Sequence, residues 1–193
     1  MKEIELKTVL SQGQEYVADA TVALGVEVIA VEHDKATNTC HEKAAILGWD
    51  AEQVVKAVFF YRGEEMYGFV FPELGSKDKP LYLPAKEIIP RVLGISKNQA
   101  KKFNNSYCPE GMEYGTCTPF VLQQSFSAEE RRLIRMLVHD RTSLDNKIVD
   151  ISIGGAGDTA HRTSVHLPYR GIYDILHHTF GDKIRKVELF GGD

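Results

Sequence analysis

The sequence lacks any apolar stretch near the ~20 residues needed to cross a bilayer, which argues against a membrane-spanning protein. Its N-terminus alternates charged and apolar residues and has no apolar core of the kind found in secretory signals. Only three cysteines occur in 193 residues and they are widely spaced, so neither a disulfide framework nor a CxxC zinc site is indicated. These absences predict a cytoplasmic protein with reduced thiols.

Positive charge is also scarce, because 27 acidic residues outnumber 23 basic ones and give a formal net charge of −4. Proteins that bind RNA unaided usually carry a basic face. The densest basic cluster is Lys97, Lys101 and Lys102, on a segment for which Ser96 is a suitable N-cap. An ordinary solvated helix face is the simpler explanation of this cluster. We therefore expect any RNA contact to be weak, and we expect no binding to DNA.

What the sequence does contain is a series of short helices and strands, without an internal repeat or a low-complexity segment. Thr39 with Glu42 forms a capping box, and Gly25 and Gly48 are suited to end helices. Predicted helices cover residues 14–24, 39–48, 85–93 and 168–180, the third weakened by Pro90. Predicted strands cover residues 26–31, 54–60, 67–71, 148–153, 163–167 and 184–190, with a loop over 72–84. This irregular order predicts an α+β fold with a central mixed or antiparallel sheet.

Lys56 stands inside an apolar run, residues 54–60, in which β-branched and aromatic residues predict a strand. Alternation places Lys56 on one face of that strand with Val54, Val58 and Phe60. A cation in that position needs either a route to water or an anion to meet. A lysine that extends its amine to solvent is the commoner case. A functional role for Lys56 therefore depends on support from other segments.

Two glycine-bearing segments follow the lysine strand in order. Residues 115–120 read Gly-Thr-Cys-Thr-Pro-Phe, and residues 151–155 read Ile-Ser-Ile-Gly-Gly. Glycine allows a backbone to approach a ligand closely, and proline stiffens a loop. Taken alone, the first segment is more simply an ordinary tight turn, since Gly and Pro are the commonest turn residues.

Together with His33-Asp34 and the helix over residues 39–48, these segments resemble the YbaK-like aminoacyl-tRNA editing domain family. This family contains free-standing deacylases and the editing insertion of bacterial prolyl-tRNA synthetase. The order of the motifs carries the resemblance, which implies one domain over residues 15–193 after an N-terminal extension over 1–14. It also implies a curved, partly barrel-like sheet surrounded by short helices.

The family would place a strand near residues 135–140, where the sequence alone predicts otherwise. Ser127 and Glu130 form another capping box, which predicts a helix continuing through Leu137 and Val138. We expect a short helix that is followed by the strand.

The resemblance implies hydrolysis of a mischarged aminoacyl-tRNA, in particular a mischarged tRNA(Pro). Such hydrolysis needs the ester and terminal ribose held still, a water aimed at the carbonyl, and donors for the developing oxyanion. The implied catalytic residues are Lys56, Gly115 and Pro119, with Lys56 meeting the phosphate or ribose end of the tRNA. The implied substrate-binding residues are His33, Thr116, Cys117, Thr118, Gly154, Gly155, His161 and Ser164. The implied partners are the acceptor end of an aminoacyl-tRNA and prolyl-tRNA synthetase, and no cofactor or metal is expected.

The sequence departs from the family at the wall that would select the amino acid. Ser164 stands where relatives similar to the cysteinyl-tRNA(Pro) deacylases carry an acidic residue, and the loop over residues 155–162 is longer than theirs. His161 lies near a position where alanine-selective relatives have histidine. The identity of the removed amino acid is therefore not transferred from the family.

Other motifs point to different chemistry. Residues 155–160 satisfy G-x-G-x-x-A after a strand, but residues 161–167 are typical of a strand and not of the helix that dinucleotide binding requires. Cys117 has no sequence signal of an activated thiol, and a strand-ending turn explains His33-Asp34 as well as a groove does. Four histidines lack a recognised metal-ligand spacing: His161, His166, His177 and His178.

Two other functions stay open at this point. A non-catalytic module with the same fold would bind a synthetase, RNA or an aminoacyl-like ligand. A hydrolase of a small ester or amide would be unrelated to tRNA. Replacement of Lys56 separates the editing hypothesis from the binding module, because only editing requires the lysine for hydrolysis.

Overall fold

The protein is described by a computed structural model that covers residues 1–37, 39–104, 108–113, 115–127 and 133–190. Its strands are β1 (Lys2–Ile4), β2 (Ile29–Glu32), β3 (Val54–Arg62), β4 (Glu65–Pro72), β5 (Leu133–His139), β6 (Ile148–Ser152), β7 (Thr163–Pro168) and β8 (Ile184–Val187). Its α-helices are α1 (Leu6–Val9), α2 (Glu15–Leu24), α3 (Cys40–Leu47), α4 (Ala85–Leu93), α5 (Lys97–Ala100), α6 (Gln124–Ser127), α7 (Gly157–Arg162) and α8 (Tyr169–Phe180).

The eight strands form one mixed sheet in the order β1-β2-β7-β6-β3-β4-β5-β8. Three neighbouring pairs are parallel, namely β6 with β3, β4 with β5, and β5 with β8, and the other pairs are antiparallel. The expected α+β class with a mixed sheet is confirmed. β1 pairs with β2 at one edge, while the division of the chain at residue 14 stays a prediction.

Alternation along β3 divides the interior into two cores. Val55, Ala57 and Phe59 belong to the larger core, which also contains residues of α2 and α8. Phe60 belongs to a second core with residues of α4 and α5, and Val58 packs against it. Lys56 therefore lies on the face of the second core, as the period of two predicts.

The predicted helix signals are largely confirmed. The Thr39 hydroxyl accepts from the Glu42 amide at 3.1 Å, and Gly48 ends α3 in the left-handed region at φ +70°. Ser96 caps α5 by accepting from the Gln99 amide at 3.2 Å. α4 continues through Pro90 and ends at Gly94. None of the helices in the described part of the chain is long and apolar enough to span a bilayer.

Three local predictions need correction. Residues 26–28 lie outside the strand, because β2 begins only where pairing with β7 begins, at Ile29. Residues 188–190 lie outside the last strand, because β8 ends at Val187. The strand expected near residues 135–140 is confirmed, since Leu137 and Val138 lie in β5 between β4 and β8. Burial on a sheet overrides the local helix signal there. Glu130 lies outside the described residues.

Residues 161 and 162 were expected in a strand but end the short helix α7. The Arg162 guanidinium lies 3.1 Å from Asp158, one helical turn earlier, which supports this local helix. A helix therefore does begin inside the G-x-G-x-x-A motif, at Gly157. It joins β6 to β7, which are antiparallel, so the motif does not lie in the parallel βαβ unit of a dinucleotide site.

Candidate functional site

Lys56 projects from β3 above the ring of its cross-strand partner Phe71, with Nζ 5.2 Å from the ring centroid. Its side chain is 22% exposed. The ammonium donates to Glu73 Oε2 at 2.7 Å and to the carbonyl of Leu81. The lysine thus has both a narrow route to water and an anionic partner inside the protein.

Glu73 is a buried carboxylate that sequence reasoning missed. Its Oε1 accepts from the amides of Gly75 at 2.8 Å and Leu81 at 2.7 Å, so the chain after β4 curls around the carboxylate. Burial would raise the pKa of Glu73, but the hydrogen bonds from Lys56, Leu81 and Gly75 outweigh burial and lower it. The available signal was an acid directly after the strand that pairs with the lysine strand.

The segment from Gly115 to Pro119 is held by side chains that turn into the protein. Thr116 and Thr118 are fully buried, and Pro119 is buried beside them. The Thr116 hydroxyl donates to the Gly155 carbonyl at 2.7 Å. Gly115 is exposed and has a φ of +92°, which an L side chain rarely adopts. The exposed Gly115 and the half-buried Cys117, and not the threonines, are what this segment can present to a ligand.

The second glycine segment packs against the first. Gly154 and Gly155 have φ values of +89° and +101°. A Cβ on Gly154 would lie 3.0 Å from the Thr118 methyl group, so the close approach of the two segments requires glycine there. The Gly155 amide donates to the Gly111 carbonyl at 3.0 Å. The structure thus brings together the two segments that were singled out in the sequence.

Ser152 connects the lysine strand to these segments. β3 and β6 pair in parallel through Val55 and Ile151, and Lys56 and Ser152 are the next residues along the two strands. The Ser152 hydroxyl donates to the Thr116 carbonyl at 2.9 Å. Lys56 therefore lies at the point of the sheet where the neighbouring strand meets the 115–119 segment.

His161 lies at the exposed side of the same segments. Its Nε2 is 3.0 Å from Glu113 Oε1, and this oxygen also accepts from the Gly157 amide at 2.9 Å. A Cβ on Gly115 would lie 3.2 Å from the His161 ring. With a side chain that is 30% exposed, His161 is placed to contact a ligand above Gly115.

Cys117 is half-buried, and its Sγ lies 3.7 Å from Cys108 Sγ. Burial, and then the neighbouring Cys108, raise the pKa of Cys117 to about 12. The thiolate is the nucleophilic form of cysteine. Cys117 therefore stays a thiol at neutral pH, which argues against a nucleophilic role and fits one in shaping the site.

His33 and Ser164 are buried together at the other side of β6, with His33 Nε2 2.8 Å from the Ser164 hydroxyl. The Ser164 hydroxyl also donates to Asp150, a buried carboxylate that sequence reasoning missed. Lys43 on α3 lies 3.0 Å from the second oxygen of Asp150. An acidic group is thus present beside Ser164, supplied by the adjacent strand.

A depression of about 630 Å³ borders Glu73 and Gly75, but its lining includes neither Lys56 nor the 115–119 segment. Five of its thirteen lining residues are acidic and one is an arginine, an excess of negative charge that disfavours the phosphates of a nucleic acid. The acidic residues are Asp50, Glu52, Glu73, Asp140 and Glu188.

No protein-family model and no curated protein matches the chain. Solved structures do match its fold. A candidate trans-editing enzyme for prolyl tRNA synthetase is 18% identical with a TM-score of 0.57, over 95% of this chain and 99% of that one. A scaffold protein used for computational epitope grafting is 17% identical with a TM-score of 0.55, over 95% and 99% of the two chains. A hypothetical protein is 21% identical with a TM-score of 0.55, over 89% and 98%. The chain therefore has the YbaK-like fold, and the resemblance noted in its sequence is confirmed at that level.

Proposed function

From this fold and the placement of Lys56, we propose that the protein hydrolyses the ester of a mischarged aminoacyl-tRNA, in particular a mischarged tRNA(Pro). The observation that carries the proposal is that Lys56 lies next to Ser152, whose hydroxyl holds the 115–119 segment. A cation and a glycine-bearing backbone segment are the groups that the acceptor end of a tRNA and its ester require.

In this proposal the 115–119 segment supplies hydrogen-bond donors. No backbone hydrogen bond joins the amide of the half-buried Cys117 to the carbonyl of another described residue. The buried threonine side chains on either side of it fix the segment, so this amide needs little rearrangement to meet an oxyanion. Water performs the attack, because the raised pKa of Cys117 keeps its sulfur protonated.

Lys56 has an orienting role and carries the positive charge toward the phosphate or ribose. Glu73 holds the ammonium at 2.7 Å and balances its charge before tRNA binds. A tRNA phosphate then competes with a carboxylate that is fixed by two backbone amides. The partner class, the acceptor end of a tRNA with prolyl-tRNA synthetase nearby, follows from the same proposal.

The test is deacylation of tRNA(Pro) charged with alanine, cysteine, serine or proline by the wild type and by Lys56→Ala. We expect hydrolysis of at least one mischarged tRNA, sparing of the proline ester, and a loss of about 100-fold in Lys56→Ala. The matched control is Lys77→Ala, since Lys77 is an exposed lysine in the segment after Glu73. This control should hydrolyse at the wild-type rate.

Lys56→Arg and circular dichroism guard against a loss that reflects misfolding. Arginine keeps the charge but changes the geometry, so partial activity is expected. Wild-type rates in a folded Lys56→Ala protein would contradict the role of the lysine. If the folded wild type hydrolyses no charged tRNA but retains uncharged tRNA in a gel-shift assay, the protein is a binding module instead.

A further inference from the structure

Three side chains from separate segments converge beside the proposed site. His33 follows β2, Asp150 lies on β6, and His166 lies on β7. Their side chains are 2%, 1% and 8% exposed. One nitrogen or oxygen from each lies within 4.8 Å of the other two. Two histidines and a carboxylate are thus presented together inside the protein.

We propose that His33, Asp150 and His166 form a binding site for a divalent ion of the zinc class. Two imidazoles and one carboxylate form a three-ligand set that zinc uses in proteins, with a fourth position left for another group. The ligand bonds of about 2.0–2.1 Å place neighbouring ligand atoms of a tetrahedral ion about 3.3 Å apart. Asp150 Oδ2 lies 3.1 Å from His166 Nε2 and 3.5 Å from His33 Nε2, which brackets that spacing.

Without an ion, the Ser164 hydroxyl bridges His33 and Asp150. The 3.5 Å separation between His33 Nε2 and Asp150 is long for an N–H···O hydrogen bond. The Ser164 hydroxyl donates to Asp150 and lies 2.8 Å from His33 Nε2, so it is near enough to both ligands to complete the set. Because the single proton of the Ser164 hydroxyl is donated to Asp150, His33 Nε2 carries a proton and donates it to Ser164 Oγ. No described residue bonds to His33 Nδ1, so an ion at Nε2 displaces that proton to Nδ1 or to solvent.

Lys43 is the natural competitor of such an ion. Its Nζ lies 3.0 Å from Asp150 Oδ1, although no described residue donates an aligned hydrogen bond to that oxygen. The ammonium neutralises the carboxylate and would repel an ion at Oδ2. Its side chain is 12% exposed, so it has a route toward water. Removing the charge of Lys43 should therefore strengthen ion binding.

His166 also gives the site a path to solvent. It lines a depression of about 520 Å³ together with Trp49 and Gln53. The Trp49 ring packs on the His166 ring with centroids 4.7 Å apart, which fixes the orientation of the imidazole. An ion entering from this depression meets His166 first and then the carboxylate behind it. An entry path of this kind is what a buried metal site requires.

The test titrates chelator-treated protein with Zn²⁺ by calorimetry and with Co²⁺ by visible absorption. We expect one ion per chain and the intense bands of tetrahedral Co²⁺. His33→Asn and His166→Asn should each lose at least about 100-fold in affinity, as expected for the loss of a ligand. The matched control is His178→Asn on α8, because His178 is exposed and far along the chain from these ligands. This control should bind as the wild type does.

Lys43→Met keeps the proposal testable even if a histidine variant fails to fold. This variant should bind Zn²⁺ about tenfold more tightly, and Zn²⁺ should raise its melting temperature more than that of the wild type. Unchanged or weaker binding in a folded Lys43→Met protein would remove Asp150 as a ligand. No binding by the wild type, or an equal loss in His178→Asn, would overturn the site. The readouts do not involve deacylation, so the result is independent of the proposed editing activity.

Discussion

At the scale of single residues, the pair of Lys56 and Glu73 is the feature most open to experiment. Glu73 is 2% exposed at its side chain and holds the ammonium of Lys56 at 2.7 Å. Two backbone amides occupy its other oxygen. Removing one member of a buried ion pair leaves the other charge unpaired, and this cost exceeds the net contribution of the pair itself.

Glu73→Gln should therefore lower the free energy of unfolding by about 3 kcal/mol at neutral pH. The glutamine oxygen can still accept from a backbone amide, but the positive charge of Lys56 loses its counter-ion. Urea denaturation measures the change. Glu64→Gln is the control, because Glu64 is exposed in the turn between β3 and β4, and it should shift stability by no more than about 0.5 kcal/mol. Equal effects of the two substitutions would show that the buried pair is energetically neutral.

At the scale of an element, β4 depends on a glycine at its centre. Gly68 pairs with Phe59 on β3 and with Met136 on β5. A Cβ on Gly68 would lie 2.2 Å from the Met136 sulfur and 2.8 Å from the Phe59 ring. The larger core therefore fills the space above Gly68 with neighbouring side chains.

Gly68→Ala should lower the free energy of unfolding by about 2 kcal/mol because the core is overpacked there. Gly63→Ala is the comparison, because Gly63 has a φ of +60° but no described residue beyond its chain neighbours has an atom within 4 Å of the position of a Cβ. Backbone strain alone should then lower its free energy of unfolding, by about 1 kcal/mol. Combining Gly68→Ala with Met136→Ala should cost less than the sum of the two single changes, since the smaller side chain makes room for the methyl group. If chemical denaturation shows that the two losses of unfolding free energy add, overpacking against Met136 is not the cause.

At the scale of the whole molecule, Asp150 connects several elements. It meets Lys43 from α3, His33 after β2, and Ser164 and His166 from β7. Burial would raise its pKa, but the contacts with His166 and His33, the charge of Lys43 and the hydrogen bond from Ser164 outweigh burial and hold the pKa well below its usual range. The folded state therefore binds the carboxylate proton more weakly than the unfolded chain does.

The sign of the pH dependence follows from that difference. The stabilisation by Asp150 is fully present above the unfolded pKa of about 3.9 and is lost progressively as the pH falls below it. Asp150→Asn should be less stable than the wild type by about 3 kcal/mol at pH 7, with a gap that narrows at pH 3. Urea denaturation with a chelator present measures the free energy of unfolding at both pH values. The control is Asp174→Asn, at a surface ion pair on α8, whose free energy of unfolding should depend on pH as that of the wild type does. If Asp150→Asn and the wild type differ in stability by the same amount at both pH values, Asp150 does not cause the pH dependence.

Local signals in the sequence determined much of this structure. Three features could be predicted from the sequence, because each depends on residues within one turn or one strand: the capping box at Thr39, the terminal glycine of α3 and the alternation along β3. The order of the lysine strand and the two glycine segments could also be recognised in the sequence, and it predicted the correct fold. The predicted catalytic and substrate-binding roles stay predictions.

Only the tertiary structure decided which charges meet. Glu73 reaches Lys56 because the chain after β4 turns back over β3, and Asp150 reaches His33, Lys43 and His166 because β6 lies between β7 and β3. The same sheet placed Leu137 in a strand against its local helix signal. Spacing along the chain carries information about neighbours within a few residues. Burial, charge pairing and sheet order depend on segments that are distant in sequence, so they appear only when the whole chain is folded.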